Sequence, residues 1–277
     1  MFKNEIILNY GAFSLVEFLL SEHNKIPLFY KTALDIGGGD GFHTNLMRRF
    51  GLNVDLIDKY LKNAEINADF NDYKFKKKYD VIFCSHVVEH QRNIGFFLDK
   101  IFDILSDDGV LIISGPKHPV ERFVEGHIST CILPVFLQML IYSGFDCKNG
   151  KMLSLGGIEN SFIVKKDKSF DFSERKETGY KWTKKHQKRS PIKLEAGYEV
   201  RPGSLYLHNC EIWKVNVLEG ILKERIGLSY KLPKKYNKKN IKFKINSWSN
   251  FYLFDEKLNQ IAGINQNLSE NYVKFII

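Results

Sequence analysis

The sequence predicts a two-part protein, in which a mostly parallel α/β sheet is followed by a smaller β-rich domain. Short apolar strands alternate with helical segments through the first 165 residues, an order that indicates parallel strands joined by helices on both faces of the sheet. Later segments alternate apolar and polar residues, as in antiparallel sheets. We expect a Rossmann-like doubly wound domain over residues 1–166, a basic linker over 167–191 and a sandwich-like β-rich domain over 192–277.

The individual elements of the first domain follow from hydrophobic periodicity and from the residues that end each segment. Nearly continuous apolar runs indicate strands that are covered on both faces, and apolar residues three and four apart indicate amphipathic helices. The expected strands are Tyr30–Ile36, Asn53–Ile57, Asp80–Cys84, Val110–Ser114, Phe145–Leu153 and Ser161–Lys165, with a further strand or strand end at Asn67–Asp69. The expected helices are Leu8–His23, His43–Phe50, Leu61–Ile66, Ile94–Leu105 and Ser129–Ser143.

A glycine-rich turn follows the first of these strands. Gly37, Gly39 and Gly41 alternate directly after an apolar run that contains Asp35. Glycine allows the chain to turn sharply and lets the backbone approach a ligand closely. The G-x-G-x-G spacing differs from the G-x-G-x-x-G spacing of dinucleotide sites, so the turn alone predicts a binding loop without naming its ligand.

The stretch Leu-Asp-Ile-Gly-Gly-Gly-Asp-Gly, from Leu34 to Gly41, resembles the first motif of class I S-adenosylmethionine-dependent methyltransferases. The resemblance extends over about residues 30–165 and implies S-adenosyl-L-methionine as the cofactor. It implies that Asp35 either lies near the cofactor's amino group or fixes the loop that holds the cofactor. It also implies that the glycine backbone lies beside the methionine moiety and ribose. The cofactor-binding residues implied for this loop are Asp35, Gly37, Gly38, Gly39 and Gly41.

Two further acidic positions resemble later motifs of that family. Asp58 ends the second strand, where a carboxylate can accept hydrogen bonds from both ribose hydroxyls; an ordinary turn aspartate is the alternative. The sequence Ala68-Asp69-Phe70 is similar to the third motif, in which the acid contacts the adenine amino group and the next residue packs on the ring. A solvated polar loop is an equally good interpretation of Asp69.

The stretch Tyr79–His90 resembles the fourth strand of small-molecule methyltransferases whose signature ends in a Val-Leu-Glu-His-like sequence. The resemblance places Ser85 and His86 at the carboxyl end of the strand, beside adenine and the transferring methyl group. The same residues spell H-x-x-E-H, a zinc-peptidase pattern. That pattern requires a long helix and a third ligand, whereas this one follows a buried strand, so we expect no metal and expect Glu89 and His90 to brace the next helix.

Three histidines are candidate general bases, namely His86, His118 and His127. Histidine suits the removal of a hydroxyl proton because its ordinary pKa lies near neutrality. His127 follows Gly126 at a place where members of the resembled subgroup often carry a Gly-His pair. A sulfonium methyl group is already activated, so the protein has mainly to position it in line and to exclude water.

Charge is distributed unevenly along the chain and bears on the choice of partner. Residues 1–164 carry 17 basic and 20 acidic residues, a net of −3, whereas residues 165–277 carry 24 and 12, a net of +12. The basic run Lys181–Arg189 could bind a phosphate backbone with Trp182 stacking on a base, or could be a solvated linker. Against an RNA substrate, Cys84-Ser85-His86-Val87 stands where base N-methylating enzymes carry Asn/Asp-Pro-Pro-Tyr/Phe.

We therefore expect methyl transfer to a small polar acceptor, with a hydroxyl of a sugar or sugar-phosphate in surface glycan (capsule) biosynthesis as the favoured acceptor. The alternatives are an RNA methyltransferase that docks through its basic C-terminal part and a non-catalytic glycan-binding protein with a degenerate cofactor site. Four widely spaced cysteines and the lack of a signal peptide or long apolar run predict a cytoplasmic protein with reduced thiols and no membrane span.

Overall fold

The computed structural model describes residues 5–8, 11, 14–15, 18–19, 29–117, 122–155, 159–177 and 182–190, and five short strands nearer the C-terminus. The strands are β1 (Glu5–Leu8), β2 (Thr32–Ile36), β3 (Asn53–Ile57), β4 (Tyr79–Ser85), β5 (Leu105–Pro116), β6 (Phe145–Leu155), β7 (Glu159–Lys166), β8 (Val217–Leu218), β9 (Ile241–Ile245), β10 (Phe251–Phe254), β11 (Gln260–Ile264) and β12 (Tyr272–Phe275). The helices are α1 (Phe42–Arg49), α2 (Ile94–Ile104), α3 (Leu133–Tyr142) and α4 (Lys184–Arg189), and 3-10 turns cover Val88–His90 and Phe172–Lys176.

A seven-stranded sheet with the order β3-β2-β4-β5-β7-β6-β8 forms the centre of the described structure. Strands β3, β2, β4 and β5 are parallel neighbours, whereas β7 runs antiparallel to both β5 and β6. The predicted Rossmann-like architecture of mostly parallel strands and crossover helices is confirmed. Because the parallel strands end at one edge, that edge collects the residues that follow each of them.

The central strands are almost wholly apolar because helices and loops cover both faces of the sheet. Val81, Ile82, Leu111 and Ile112 are completely buried, as expected for parallel strands covered on both faces. Helix α2 presents Phe97, Leu98, Ile101 and Phe102 to this core, and the side chain of its N-cap Asn93 accepts a hydrogen bond from the Phe96 N–H. The apolar periodicity of this helix therefore predicted its buried face correctly.

The segment between β3 and β4 differs from the prediction of a helix at 61–66 and a strand at 67–69. It forms turns, with a single parallel bridge between Ile57 and Ile66. The Asp58 carboxylate accepts hydrogen bonds from the N–H groups of Tyr60 and Leu61, and the Asn67 amide donates to three carbonyls of the same turn. Because the Asn67 amide occupies backbone carbonyls that a helix would use for its own hydrogen bonds, turns are favoured here.

The described residues of the expected basic linker 167–191 pack against the first domain instead of running as an extended, solvated chain. Arg189 is 2% exposed, its Nε donates to the Ile141 carbonyl at 2.9 Å, and its guanidinium binds Glu174 at 2.7 Å. Phe170 is buried against Phe102. The basic residues in this part of the chain thus include one that is used internally to hold the segment on the core.

The C-terminal strands are described by their backbone pairing alone. Strand β9 pairs in parallel with β1 and antiparallel with β12, β10 pairs with β11, and β8 adds to the edge of the central sheet at β6. The other residues of the predicted domain 192–277 lie outside the described residues, so the sandwich and the domain boundaries stay predictions. No helix among the described residues has the length and apolar character needed to cross a membrane.

Candidate active site

The glycine turn, the end of β3 and the ends of β4 and β5 meet at the carboxyl edge of the parallel strands. The Gly37 N–H donates to the Ile57 carbonyl at 2.8 Å, and the His86 N–H donates to the Ser114 carbonyl at 3.0 Å. These bonds tie neighbouring loops together across the sheet edge. Open α/β sheets bind their ligands at this edge, so it is the candidate site.

Asp35, the fourth residue of β2, lies directly beneath the glycine turn and is 1% exposed. Its Oδ2 accepts a hydrogen bond from Thr44 Oγ1 at 2.5 Å, whereas its Oδ1 has no hydrogen-bond partner among the described residues. Burial, against the opposing effect of the Thr44 hydrogen bonds, raises the pKa of this carboxyl to about 7. An unsatisfied buried oxygen of this kind suits a ligand that donates a hydrogen bond or brings a positive charge.

The glycine turn has a shape that other residues would not easily adopt. Gly37 and Gly39 have φ angles of +69° and +51°, in the left-handed region that favours glycine. A Cβ on Gly38 would lie 2.6 Å from Asp35 Oδ2, whereas a Cβ on Gly39 would meet nothing within 4 Å. The turn therefore packs Gly38 tightly on the buried carboxyl and presents Gly39 to open space.

Asp58 connects the end of β3 to this turn. Its Oδ1 accepts from the Tyr60 N–H at 2.7 Å and the Leu61 N–H at 3.1 Å, and its Oδ2 accepts from the Gly39 N–H at 3.3 Å. The structure thus brings Asp58 next to the glycine turn. Its contact with a ribose diol stays a prediction.

Asp69 and Phe70 have internal roles in this structure. The Asp69 carboxylate binds Lys59 Nζ at 3.2 Å and accepts from the Asn71 N–H at 2.9 Å. Burial alone would raise the pKa of Asp69, but these two partners outweigh it and lower the pKa. Phe70 is 6% exposed and packs edge-on against Phe97 in the core. The adenine contacts expected of both residues stay predictions.

Ser85 and His86 lie where β4 ends. Ser114 Oγ donates to Ser85 Oγ at 3.0 Å across the β4–β5 pair. His86 has a φ of +54° and is the one non-glycine residue of the described chain with a positive φ. Such a conformation costs about 1–3 kcal/mol and persists when its surroundings hold it, often at functional sites.

Glu159, the first residue of β7, is a site residue that the sequence motifs did not reveal. It is 1% exposed, and its Oε2 lies 2.9 Å from His86 Nε2 and 2.8 Å from the Gly11 nitrogen. Strand β7 pairs with β5 so that Glu159 lies opposite Pro116, at the edge of the sheet where the site is. The sequence shows only that a charged residue begins this strand, and the position of Glu159 in the site depends on how the strands pair.

Glu89 lies between the histidines of the site and is completely buried. Its Oε1 is 3.6 Å from His86 Nδ1 and 3.8 Å from His90 Nε2, and neither carboxyl oxygen has a hydrogen-bond partner among the described residues. Burial raises the pKa of Glu89. Burying a carboxyl without hydrogen-bond partners costs free energy, and the expected role of Glu89 in bracing the following helix does not explain that cost.

His127 meets this group from the loop before α3. Its ring centroid is 4.9 Å from that of His90, whose Nδ1 bonds the Gly126 carbonyl at 2.8 Å. Glu89, His90 and His127 place ligand atoms within 4.8 Å of one another and could hold a metal ion. The zinc-peptidase pattern H-x-x-E-H would instead use His86 and His90 as the metal ligands. The absence of a metal stays a prediction. His118 lies outside the described residues.

Comparison with known proteins agrees with the class that the fold and glycine turn indicate. Residues 8–130 match the family described as a methyltransferase domain. The ubiquinone biosynthesis O-methyltransferase of Pelagibacter ubique is 30% identical over 137 residues, which is 44% of this chain and 57% of that protein. The enzyme of the same name from Rickettsia canadensis is 26% identical over 140 residues, covering 45% and 57%. The chain thus spans 57% of the length of these two relatives.

Partial similarity to solved structures is also found. A 1,6-didemethyltoxoflavin-N1-methyltransferase of Burkholderia thailandensis, with bound S-adenosylhomocysteine, has 16% identity and a TM-score of 0.44 over 55% of this chain and 78% of that one. An S-adenosylmethionine-dependent methyltransferase of Archaeoglobus fulgidus has 17% identity and a TM-score of 0.44 over 56% and 94%.

The N-terminal part of this chain is thus similar to S-adenosylmethionine-dependent methyltransferase domains, through the family match over residues 8–130 and the curated relatives. Among the proteins compared, the curated relatives that share this domain are ubiquinone biosynthesis O-methyltransferases of Pelagibacter and Rickettsia.

Proposed function

We propose that this protein transfers the methyl group of S-adenosylmethionine to a hydroxyl oxygen of a small acceptor. The observation that carries the proposal is the buried Asp35 carboxyl, whose Oδ1 is unsatisfied directly beneath a glycine turn. The cofactor supplies an electrophilic methyl group on a sulfonium and a cationic amino group. Oxygen is favoured as the acceptor because the curated relatives are named O-methyltransferases.

The residues of this chain would bind and orient the cofactor without covalent participation. Asp35 is expected to bind the amino group, and its raised pKa means that a cation at Oδ1 would favour the ionised carboxylate. Gly37, Gly38 and Gly39 keep side chains out of the space above it, and Asp58 fixes the far side of the loop. Holding sulfur, methyl and acceptor oxygen in line supplies most of the catalysis available to such a site.

The acceptor is expected to be a small molecule rather than RNA. In the segment proposed for RNA docking, Arg189 and His186 are buried, and Arg189 already binds Glu174. Trp182 is partly buried, and its ring packs at 83° to the Tyr142 ring with the centroids 6.0 Å apart, so part of its surface is already used within the fold. A sugar hydroxyl remains one member of the proposed acceptor class, and the glycan-binding alternative depends on residues outside the described part of the chain.

Calorimetry and a methyl-transfer screen test this proposal. We expect S-adenosylmethionine to bind with a 1:1 stoichiometry, and the absence of binding at millimolar concentration would refute it. Transfer of a radiolabelled methyl group would then be measured to 3,4-dihydroxybenzoate, chosen because a phenolic hydroxyl loses its proton easily, and to a methyl glycoside, a sugar phosphate and total RNA. Methylation of RNA alone, with a steep salt dependence, would favour the alternative.

A further inference from the structure

Lys166 carries a buried amine at the edge of the sheet opposite the candidate active site. Strand β7 runs antiparallel to β5, so Glu159 lies opposite Pro116 at the active-site edge and Lys165 lies opposite Val110. Lys166 is the last residue of β7 and therefore lies where the parallel strands begin. Its side chain is 7% exposed. Burying an ammonium group is costly, and neither cofactor binding nor methyl transfer uses this one.

The side chain of Lys166 lines a cavity of about 370 Å³. Three phenylalanine rings form the apolar walls of the cavity, with centroids 5.2 to 6.0 Å apart, namely Phe102, Phe170 and Phe172. Lys166 Nζ lies 4.8 Å from the centroid of the Phe102 ring. Phe172 is 56% exposed, so the aromatic wall extends to the protein surface. The size and the apolar walls are those of a site for a small molecule.

Five further charged residues line this cavity, and each has a hydrogen-bond partner in the fold. They are Lys78, Asp103, Asp107, Asp167 and Lys168. Lys166 differs, because its one ion-pair partner among the described residues, Asp107 Oδ1, lies 3.6 Å from Nζ and is also bound by Lys78. Burial and the Lys78 ammonium lower the pKa of Lys166, against the weaker opposing effects of Asp107 and Asp103. A larger fraction of this amine is therefore neutral near pH 7 than of an exposed lysine.

We propose that Lys166 is a nucleophilic amine whose cavity takes a small aromatic aldehyde and holds it as a covalent imine. The lone pair of Nζ attacks the carbonyl carbon and forms the C–N bond, and the carbonyl oxygen leaves as water with the two protons of the neutral amine. An aromatic body suits the three phenylalanine walls. A lysine that is desolvated beside a second cation is activated as a nucleophile. The site lies away from the methyl-transfer edge and does not depend on the proposed function.

Reductive trapping with 2-hydroxybenzaldehyde tests this site on the full chain. A limiting amount of the aldehyde is added at pH 7 with sodium cyanoborohydride, which reduces an imine to a stable secondary amine, and the labelled peptides are quantified by mass spectrometry. We expect Lys166 to be labelled at least about 10-fold faster than Lys168 and Lys185, because carboxylate partners raise the pKa of those two lysines. Equal labelling of the three, or labelling of Lys166 only after unfolding in urea, would overturn the proposal.

The aromatic walls are tested with propanal, which has a reactive carbonyl but no ring. The preference for Lys166 over Lys168 should be about 5-fold or more smaller with propanal than with 2-hydroxybenzaldehyde. Phe172→Ala should reduce the preference for the aromatic aldehyde in the same direction, and the exposure of Phe172 makes this change compatible with the fold. An unchanged preference in either experiment would refute the aromatic class of ligand.

Lys166→Arg keeps the positive charge beside Asp107 but cannot form the imine, so the preferred adduct should disappear. Lys185→Arg is the matched control, because it makes the same change in an exposed lysine outside the cavity, and it should leave the labelling of Lys166 unchanged. The ratio of the Lys166 and Lys168 rates should be largest near neutral pH and fall towards about pH 11, where both amines are largely neutral. A constant ratio would show that Lys166 is not an activated amine. If Lys166→Arg does not fold, the labelled position in the wild type still decides the proposal.

Discussion

The affinity for S-adenosylmethionine is expected to rise with pH because the amino group of the cofactor requires an ionised Asp35. With a pKa of about 7, this carboxyl is ionised to about 3% at pH 5.5 and to about one half at pH 7.0. If only the carboxylate binds the cationic amino group, the association constant should increase about 16-fold over this range, or about 1.6 kcal/mol. Higher pH adds less, since an α-amino group begins to lose its proton near pH 7.7.

Isothermal titration calorimetry at half-unit pH intervals measures this directly. Titrations in two buffers of different ionisation enthalpy count the protons released on binding, and we expect about half a proton to be released at pH 7. The matched ligand control is 5′-methylthioadenosine, which keeps the adenosine and sulfur but lacks the amino acid part. Its affinity should not change with the ionisation of Asp35.

Asp35→Asn is the matched protein control, and it should bind the cofactor weakly and with little dependence on pH. The same substitution is expected to stabilise the fold at alkaline pH. Because burial raises the pKa from 3.8 to about 7, the folded state prefers the protonated carboxyl, and that stability is full below pH 3.8 and is lost as the pH rises through 7. The loss amounts to at most about 4 kcal/mol.

Two results would refute this reasoning. An association constant that is unchanged between pH 5.5 and 7.0 would show that Asp35 does not ionise on binding. An Asp35→Asn variant with the affinity of the wild type would show that the carboxyl does not contact the amino group. Either result would return Asp35 to the role of fixing the loop through Thr44.

Three further predictions concern the loop, the ribose site and the packed basic segment. Gly38→Ala should weaken cofactor binding at least about 10-fold and cost about 1–3 kcal/mol of stability, because its Cβ would meet Asp35 Oδ2 at 2.6 Å; equal affinity measured by calorimetry would contradict the loop geometry. Asp58→Ala should lower the affinity about 10-fold or more through lost ribose hydrogen bonds, and a wild-type Kd would remove the ribose assignment. Arg189→Ala should lower the free energy of unfolding in urea by about 3 kcal/mol, because Glu174 would lose its buried partner; no change would mean that the segment adds nothing to the stability of the domain.

The sequence by itself determined most elements of the sheet and the glycine turn, because both depend on neighbours along the chain. The apolar run before Gly37 and the stripe that begins at Ile94 specify a strand and a helix through local periodicity, and β3 begins and ends where expected, at Asn53–Ile57. Alternating glycines specify the turn because only their backbone adopts its φ values cheaply. The local pattern misjudged residues 61–69, where the Asn67 amide donates to backbone carbonyls and turns form in place of a helix.

Only the tertiary structure decided which groups surround His86. Glu159 and His86 are 73 residues apart in the chain and meet because β7 pairs antiparallel with β5, which itself lies beside β4. The composition of the basic segment resembles that of a solvated linker. It could not show that Arg189 holds this segment on the core through Ile141 and Glu174. Pairing between strands and the burial of charge are set by distant parts of the chain, and no local pattern in one sequence contains them.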